Sequence, residues 1–340
     1  MAQPAFAGVP AQPPVEGAAS VVGEAPAAVE PVPAIQTDTW VFLMVLGALS
    51  AGSVLLTRRY RLLQTRSTGH GRYDAMTAAM LPKQPGQPPL NLGLILVLSA
   101  MGVWVLSMMA ALVRFSLAAQ GDPTFEPTLG LSAQAYGASA GTAILIVGLA
   151  CVFWRPLASV LGLPLNRREF ARDLLLSGAA FALAIPLILL TGMVVGIIMA
   201  LLAQAGVVDP ADPLAHETLR DLDESERSGA WWAVIAMVVI AVPIGEELIY
   251  RGLMQSGVRA NLGTIPSRRR AWLDWIAIGI VSMLFTYAHQ GVAAPHALAV
   301  IIVLSIAMGL AYERTGRLLV PIGMHIGFNA LNIVISQFST

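Results

Sequence analysis

The sequence has little charge and almost no cysteine for its length. Asp, Glu, Lys and Arg make up 12% of its 340 residues, whereas the hydrophobic types make up 56%. The mean hydropathy of +0.71 is far from that of ordinary soluble domains, which excludes a soluble enzyme and predicts an integral membrane protein. The single cysteine, Cys151, excludes an intrachain disulfide and leaves the redox compartment open. The formal net charge of zero does not indicate a nucleic-acid partner, and we expect none.

Large apolar residues are scarce at the start of the chain. Residues 1–37 are rich in Ala and Pro and cannot build a core, so we predict a disordered tail there. The basic segment that opens a signal peptide is missing, and the first long apolar run begins too late for one. We therefore divide the chain into this tail, a group of membrane helices over residues 38–227, and a catalytic core over residues 228–338.

Eight apolar stretches are long enough to cross the hydrocarbon core of a bilayer, which takes about 20 residues. The predicted fold is therefore an all-α polytopic bundle of about eight transmembrane helices. The predicted spans are Trp40–Leu56, Leu92–Ala118, Ala138–Leu161, Leu174–Ala205, Trp231–Tyr250, Trp272–His289, His296–Tyr312 and Leu318–Phe338.

Basic residues fall in alternate loops between these spans. They crowd the first loop, from Arg58 to Lys83, and return in every second loop after it, whereas the acidic loop from Asp209 to Gly229 lies on the other side. Cytoplasmic loops carry the excess of Lys and Arg, so the basic loops should face the cytoplasm. We expect a bacterial inner membrane protein with both termini outside the cytoplasm and the lipid bilayer around it.

Ionisable residues inside the spans are concentrated in the last third of the chain. The first four spans contain almost none apart from Arg114, which lies near a predicted outer end. A charged side chain at the bilayer centre costs roughly 2.5–3.5 kcal/mol on insertion scales, so such residues mark pairs or functional sites. The candidates are Glu246, Glu247, Arg251, His289, His296, His325 and Asn329.

Helical spacing separates the two adjacent glutamates. Glu247 and Arg251 are four residues apart with the acid first, which favours an ion pair on one helix face, and we interpret them as a structural pair. Glu246 is offset by about 100° around the helix. It has no partner at helical spacing, so we interpret it as the functional carboxylate.

Four of these residues are predicted to lie at similar depths in the membrane, judged from their distances along the predicted helices. Glu246, His289, His325 and Asn329 can share a cavity, which we expect to open toward the cytoplasmic half. A carboxylate in a dry pocket can act as a general base, while imidazole and amide donors can hold an oxyanion. Glu246, His289 and His325 could instead bind Zn²⁺ with a water in the fourth position. The residues alone leave both chemistries open, although an HExxH zinc motif is absent from the sequence.

Three ordered motifs carry a family resemblance. "EELIYR" fits EExxxR, "FTYAH" fits FxxxH and "HIGFN" fits HxxxN, on successive apolar segments. Together they resemble the CPBP family of intramembrane proteases, which includes the CAAX prenyl endopeptidases of the Ras-converting type and the bacterial Abi or bacteriocin self-immunity proteins. The resemblance covers about residues 228–338.

That resemblance implies an endopeptidase and a role for each residue. Glu246 would activate the water that attacks a peptide bond, with help from His289, and His325 and Asn329 would stabilise the oxyanion. It implies a peptide or protein substrate, which a membrane anchor such as a prenyl group could hold, and CAAX-type processing is one such activity. Both a metal-free glutamate mechanism and a metalloprotease mechanism are argued for the family.

Two other functions fit the same pattern. A proton-coupled transporter also places carboxylates and histidines mid-membrane. A non-catalytic scaffold or bacteriocin-immunity protein would tolerate loss of Glu246, His289 and His325. Cleavage of a peptide by the purified protein, lost on changing Glu246, would distinguish the protease from both.

Overall fold

The computed structural model describes most of the chain and consists of helices. The described residues are 37–59, 92–120, 127–208, 217–223, 225–263, 270–290 and 292–337. The tail predicted over residues 1–37 lies outside them, except that Thr37 already belongs to the first helix. The helices are α1 (Thr37–Arg59), α2 (Leu92–Ala119), α3 (Leu129–Phe153), α4 (Arg155–Leu161), α5 (Arg167–Gln204), α6 (Glu217–Asp223), α7 (residues 229–263), α8 (Arg270–Ala288), α9 (Pro295–Thr315) and α10 (Leu319–Ser336).

The prediction of an all-α polytopic bundle is confirmed. Seven of the described helices are long and apolar enough to cross a membrane, and the shorter apolar segment Trp272–Ala288 adds an eighth candidate. Large apolar side chains cover their outer surfaces, as Met44 and Leu175 show. Such surfaces suit lipid rather than water, and the protein is an integral membrane protein.

The third and fourth predicted spans have different bounds in the structure, and so does the fifth, since α7 continues from Tyr250 to residue 263. The third was predicted as one helix to Leu161, but α3 ends at Phe153 and α4 restarts after Trp154. Pro156 has no N–H for the carbonyl four residues earlier, which explains the break. The fourth, α5, begins seven residues before the predicted span because Asn166 caps it: the Asn166 side chain accepts from the Glu169 N–H at 2.9 Å.

Packing places α7 at the centre of the bundle. It contacts α2 and α3 on one side and α8, α9 and α10 on the other, whereas α5 packs on α9 and α10 and carries α1 on its outer side. The main apolar core includes Leu161, Ile249, Phe285, Met308 and Met324. Residues far apart in sequence are thereby fixed around the middle of α7.

Helix α7 contains two π-helical segments that flank its glutamates. Met237–Ala241 and Leu248–Gln255 are π-helical, and Val242–Glu247 between them is α-helical. Pro243 cannot donate to the carbonyl four residues earlier, and the Val242 N–H donates to the Met237 carbonyl, five residues earlier. Short π segments inside helices are frequent at functional sites.

Several described helix ends that border the loops predicted to be cytoplasmic meet at one end of the bundle. Gly162 (φ +67°) lies against the carbonyl of Gly316 (φ +62°), and both close a helix in the left-handed region that favours glycine. Gly93, at the start of α2, lies against Gly257 and Asn261 near the end of α7. We call this the basic end.

The opposite end of the bundle holds α6 and the N-terminus of α7. The Tyr136 hydroxyl lies 2.8 Å from the Thr218 Oγ1, and the Trp231 indole N–H donates to the Leu222 carbonyl at 2.9 Å. Arg227 donates to Gln337 at 2.9 Å, which joins the last turn of α10 to this end. Most of the charged residues that the structure describes at this end of the bundle belong to α6, and we call this end the acidic end.

Candidate active site

The two adjacent glutamates of α7 have different surroundings. The Glu247 side chain is completely buried, whereas 26% of the Glu246 side chain is exposed. Glu246 lines an internal cavity and Glu247 does not. Glu247 is therefore enclosed by the protein, whereas a substrate or a water can reach the carboxylate of the adjacent Glu246.

Glu247 and Arg251 are in contact. The Arg251 Nε lies 3.3 Å from the Glu247 Oε2, and both side chains are fully buried. The Arg251 Nη2 donates to the Ser305 carbonyl at 3.1 Å and to its hydroxyl at 2.8 Å, and the guanidinium lies 4.7 Å from the Phe285 ring centre. Arg251 thus joins α7 to α8 and α9 as well as balancing the charge of Glu247.

His325 lies between the two carboxylates. Its Nδ1 is 3.0 Å from the Glu247 Oε1 and its Nε2 is 3.7 Å from the Glu246 Oε2. A carboxylate only accepts, so the pair with Glu247 assigns the proton to Nδ1. The ring is 95% buried, and its Nε2 is the nitrogen on the side of Glu246. A proton gained at Nε2 would face a carboxylate.

His289 follows the last turn of α8, where it stacks on Phe285. The two ring centres are 4.5 Å apart, and Phe285 also meets the His325 ring at 5.7 Å. The His289 Nδ1 lies 2.8 Å from the Phe285 carbonyl, which can only accept. The Nδ1 therefore carries the proton, and the Nε2 keeps a lone pair for a water proton.

Asn329 lies one turn after His325 on α10. Its amide nitrogen donates to the Val238 carbonyl at 2.8 Å, inside the first π segment of α7. One amide hydrogen is thereby engaged, and the amide has a second. His296, the remaining histidine candidate, is half-buried and does not line the cavity.

A cavity of about 360 Å³ brings the four candidate catalytic residues together. Glu246, His289, His325 and Asn329 all line it. Part of its wall comes from α2 and α3, through Trp104, Ser107, Met108, Tyr136, Ser139 and Ala140. Sequence reasoning gave these two helices no part in the site, because their lining residues are apolar or weakly polar and resemble any membrane span.

The lining of the cavity extends toward the acidic end of the bundle. Its lining continues from Glu246 to Thr218 and Leu219 of α6 and to Asn332 of α10, all on the acidic side of the site. At the basic end, Leu161 and Leu318 lie against Gly252, and α7 extends eleven residues beyond that level.

The zinc set considered from sequence does not form among the described residues. No group of three His, Cys, Asp or Glu side chains lies close enough to hold a metal ion in that part of the chain. His325 turns one nitrogen to Glu247 and the other to Glu246, and His289 has its Nδ1 on a backbone carbonyl. The donors present therefore do not fit zinc.

Two residues that hold the site together were not singled out from sequence. Phe285 was quoted in FxxxH without a role, yet its ring contacts Tyr250, His289, His325 and the Arg251 guanidinium. Ser305 has no motif around it, and its contact with Arg251 spans 54 residues of sequence. The FxxxH motif was the one sequence signal for Phe285, and the sequence offered none for Ser305.

Comparison with known proteins agrees with the motifs. Residues 228–331 match the family described as Type II CAAX prenyl endopeptidase Rce1-like, a match over less than a third of the chain. An "Uncharacterized 24.3 kDa protein" of Escherichia coli is 28% identical over 97 residues. That alignment covers 28% of this chain and 41% of the relative, so it spans less than half of the relative's length. No solved structure matches the chain.

The family match and the site fall in the same region. All seven candidate residues, from Glu246 to Asn329, lie within residues 228–331. The E. coli relative's name records no activity, so it adds sequence similarity alone. Over residues 228–331, the resemblance predicted from the three motifs is confirmed: this part of the chain is similar to the type II CAAX prenyl endopeptidases, a membrane protease family.

Proposed function

We propose that the protein is an intramembrane endopeptidase in which Glu246 activates a water molecule. The observation that carries the proposal is the contrast at Glu246 and Glu247, since only Glu246 reaches the cavity that His289, His325 and Asn329 also line. A protease of this kind fits the family similarity of residues 228–331.

Each side chain has a role that its contacts support. Glu246 takes a proton from water, and His289, an acceptor at Nε2, helps to hold that water. The water oxygen bonds to the carbonyl carbon, and the oxyanion that forms is stabilised by the Asn329 amide and by His325 when its Nε2 is protonated. The C–N bond then breaks as Glu246 returns the proton to the leaving nitrogen.

Glu247 and Arg251 act through His325 in this scheme. Arg251 pairs with Glu247, and Glu247 fixes the His325 ring at 3.0 Å through Nδ1. A carboxylate behind an imidazole sets its tautomer and stabilises its protonated form. Glu247 is therefore a positioning residue, in addition to its part in the structural pair.

The test is peptide cleavage by purified protein reconstituted in lipid. The wild type should produce new peptide N-termini, identified by mass spectrometry, from a mixture of apolar peptides and membrane-protein fragments. Glu246→Gln should lower the rate at least about 100-fold, the lower range for loss of a general base.

The matched control is Glu226→Gln, the same change at an exposed glutamate of the acidic end. It should cleave at the wild-type rate. Equal cleavage by wild type and Glu246→Gln would contradict the mechanism, and no cleavage by any folded form would contradict the protease assignment and favour a transporter or a scaffold.

A further inference from the structure

We propose, building on the protease function above, that the substrate is an apolar segment of a membrane or exported protein, and that it enters the cavity from the acidic, extracytoplasmic end of the bundle. This differs from a protease that trims cytosolic C-terminal tails. The proposal rests on where the cavity leads, what closes its other side, and which charges its walls lack.

The lining of the cavity runs to the acidic end. From Glu246 it passes Val242 and Val238 of α7, which lie toward the N-terminus of that helix, and reaches Thr218 and Leu219 of α6. Tyr136 completes this side, with its hydroxyl 2.8 Å from the Thr218 Oγ1. Among the described residues, none that lines the cavity belongs to the basic end.

Densely packed residues close the side that faces the basic end. On the side of Glu246 that leads to the C-terminus of α7, three polar side chains are at most 1% exposed: Arg251, Gln255 and Ser256. The Gln255 amide donates to the Gly309 carbonyl and to Glu313, at 3.1 Å each. Leu161 and Leu318, both fully buried, pack against Gly252 at the same level. A chain from the basic side would have to displace this layer.

Charge assigns the basic end to the cytoplasm. Of the described cations there, Arg58 and Arg59 end α1, Arg167 and Arg168 begin α5, and Arg317 precedes α10. The acidic end carries two arginines against several carboxylates between residues 217 and 227. Because cytoplasmic loops hold the excess of Lys and Arg, the cavity opens on the extracytoplasmic side.

The walls of the cavity suit an uncharged segment rather than a free C-terminus. Most lining side chains are apolar, and none of those in the described lining is Lys or Arg. A terminal carboxylate would meet Glu246 and find no fixed cation to pair with. Ser107 is 98% buried in the wall, and its hydroxyl has no hydrogen-bond partner among the described residues. That hydroxyl is available to a peptide group of the substrate.

Cysteine labelling measures the side of entry without requiring catalysis. In a Cys151→Ser background, single cysteines replace Ser139 in the cavity wall, Glu226 at the acidic end and Arg168 at the basic end. A membrane-impermeant thiol reagent is applied to intact cells and to inside-out vesicles. Ser139→Cys and Glu226→Cys should react on intact cells, and Arg168→Cys only in inside-out vesicles.

Labelling of Ser139→Cys from the same side as Arg168→Cys would overturn the proposal, and so would labelling from neither side while Glu226→Cys reacts.

A second experiment compares two reporter proteins that carry the same apolar segment. One places it in a transmembrane protein with an exported tail, and the other places it at the C-terminus of a cytosolic protein. Cleavage of the first alone, lost in Glu246→Gln, is expected, and cleavage of the cytosolic reporter would contradict the proposal. Absence of any cleavage with the expected labelling would refute the protease and leave the side of entry intact.

Discussion

At the scale of single residues, charge burial predicts opposite effects for neighbouring positions of α7. Arg251→Ala leaves the buried Glu247 without its cation, and in soluble proteins the loss of one partner of a buried pair costs about 3–5 kcal/mol. We expect a large fall in the melting temperature of the detergent-purified protein. Arg168→Ala, at an exposed arginine, should leave it unchanged. Equal melting temperatures for both variants would refute the structural pair.

Neutralising Glu246 should separate activity from stability. Its side chain is partly exposed to the cavity, and the His325 Nε2, which carries no proton in the tautomer described above, is 3.7 Å away, so Glu246→Gln strands no buried charge. The melting temperature should stay close to that of the wild type while cleavage is lost. A thermal-shift assay run beside the peptide assay checks both, and an unfolded Glu246→Gln protein would reverse the roles given to the two glutamates.

The arrangement of donors predicts that turnover does not depend on metal. His325 is engaged between two carboxylates, and the described residues hold no group of three ligands. Activity should therefore survive exhaustive chelation, and elemental analysis of active protein should find far less than one metal per chain. Stoichiometric zinc whose removal stops cleavage and whose return restores it would recast His289 and His325 as ligands.

At the scale of helices, two glycines of α10 set its distance from α5. A Cβ on Gly323 would lie 2.6 Å from the Ser177 side chain, and one on Gly327 would lie 3.1 Å from the Phe181 ring. Small residues four apart let membrane helices approach closely. The sequence contains several such pairs, and only the structure distinguishes this one from Gly192 and Gly196, since no atom lies within 4 Å of a Cβ at Gly196.

Valine substitutions at glycines of α10 and α5 test whether α10 must approach α5 closely. Gly323→Val should push α10, with His325 and Asn329, away from α5 and lower both the melting temperature and the cleavage rate. Gly196→Val adds the same side chain in open space and should change neither. A Gly323→Val protein with wild-type melting and cleavage would show that the two helices tolerate separation.

An ion network ties the same helices together at the basic end. Arg317, just before α10, lies 2.7 Å from Asp173 and 2.6 Å from Glu169 of α5. Burial alone would lower the pKa of Arg317, but its hydrogen bonds to Glu169 and Asp173 raise that pKa above its ordinary value. Arg317 therefore stays charged throughout the physiological range, and pH does not loosen this connection.

The apolar pattern and the motif spacing predicted the helices and the four cavity residues, because bilayer thickness and helical rise are fixed lengths. They could not predict the π segments around Glu246 and Glu247, since a shift of one residue in hydrogen bonding leaves composition unchanged. The contact of Arg251 with Ser305 and the part of the cavity wall that α2 forms depend on how the helices pack, so they could not be predicted either.

At the scale of the whole molecule, the catalytic residues and the cavity walls come from different parts of the chain. Glu246, His289, His325 and Asn329 lie in the last third, whereas Trp104, Ser107 and Ser139 come from α2 and α3. Helix α5 packs against α9 and α10 from outside. The region that matches the protease family therefore lacks the part of the cavity wall that α2, α3 and α6 supply, and we expect it to be inactive without the preceding helices.

Splitting the chain tests this dependence. Residues 1–208 and 209–340, expressed together, should copurify and cleave peptides, because apolar helices insert separately and then associate through the contacts of α2 and α3 with α7. The second fragment expressed alone should give no cleavage even where it inserts. Adding Gly323→Val to the second fragment should weaken copurification by separating α10 from α5, while Gly196→Val in the first should not. Full activity of residues 209–340 alone would show that α2 and α3 are dispensable and that the cavity around Glu246 is not where the substrate binds.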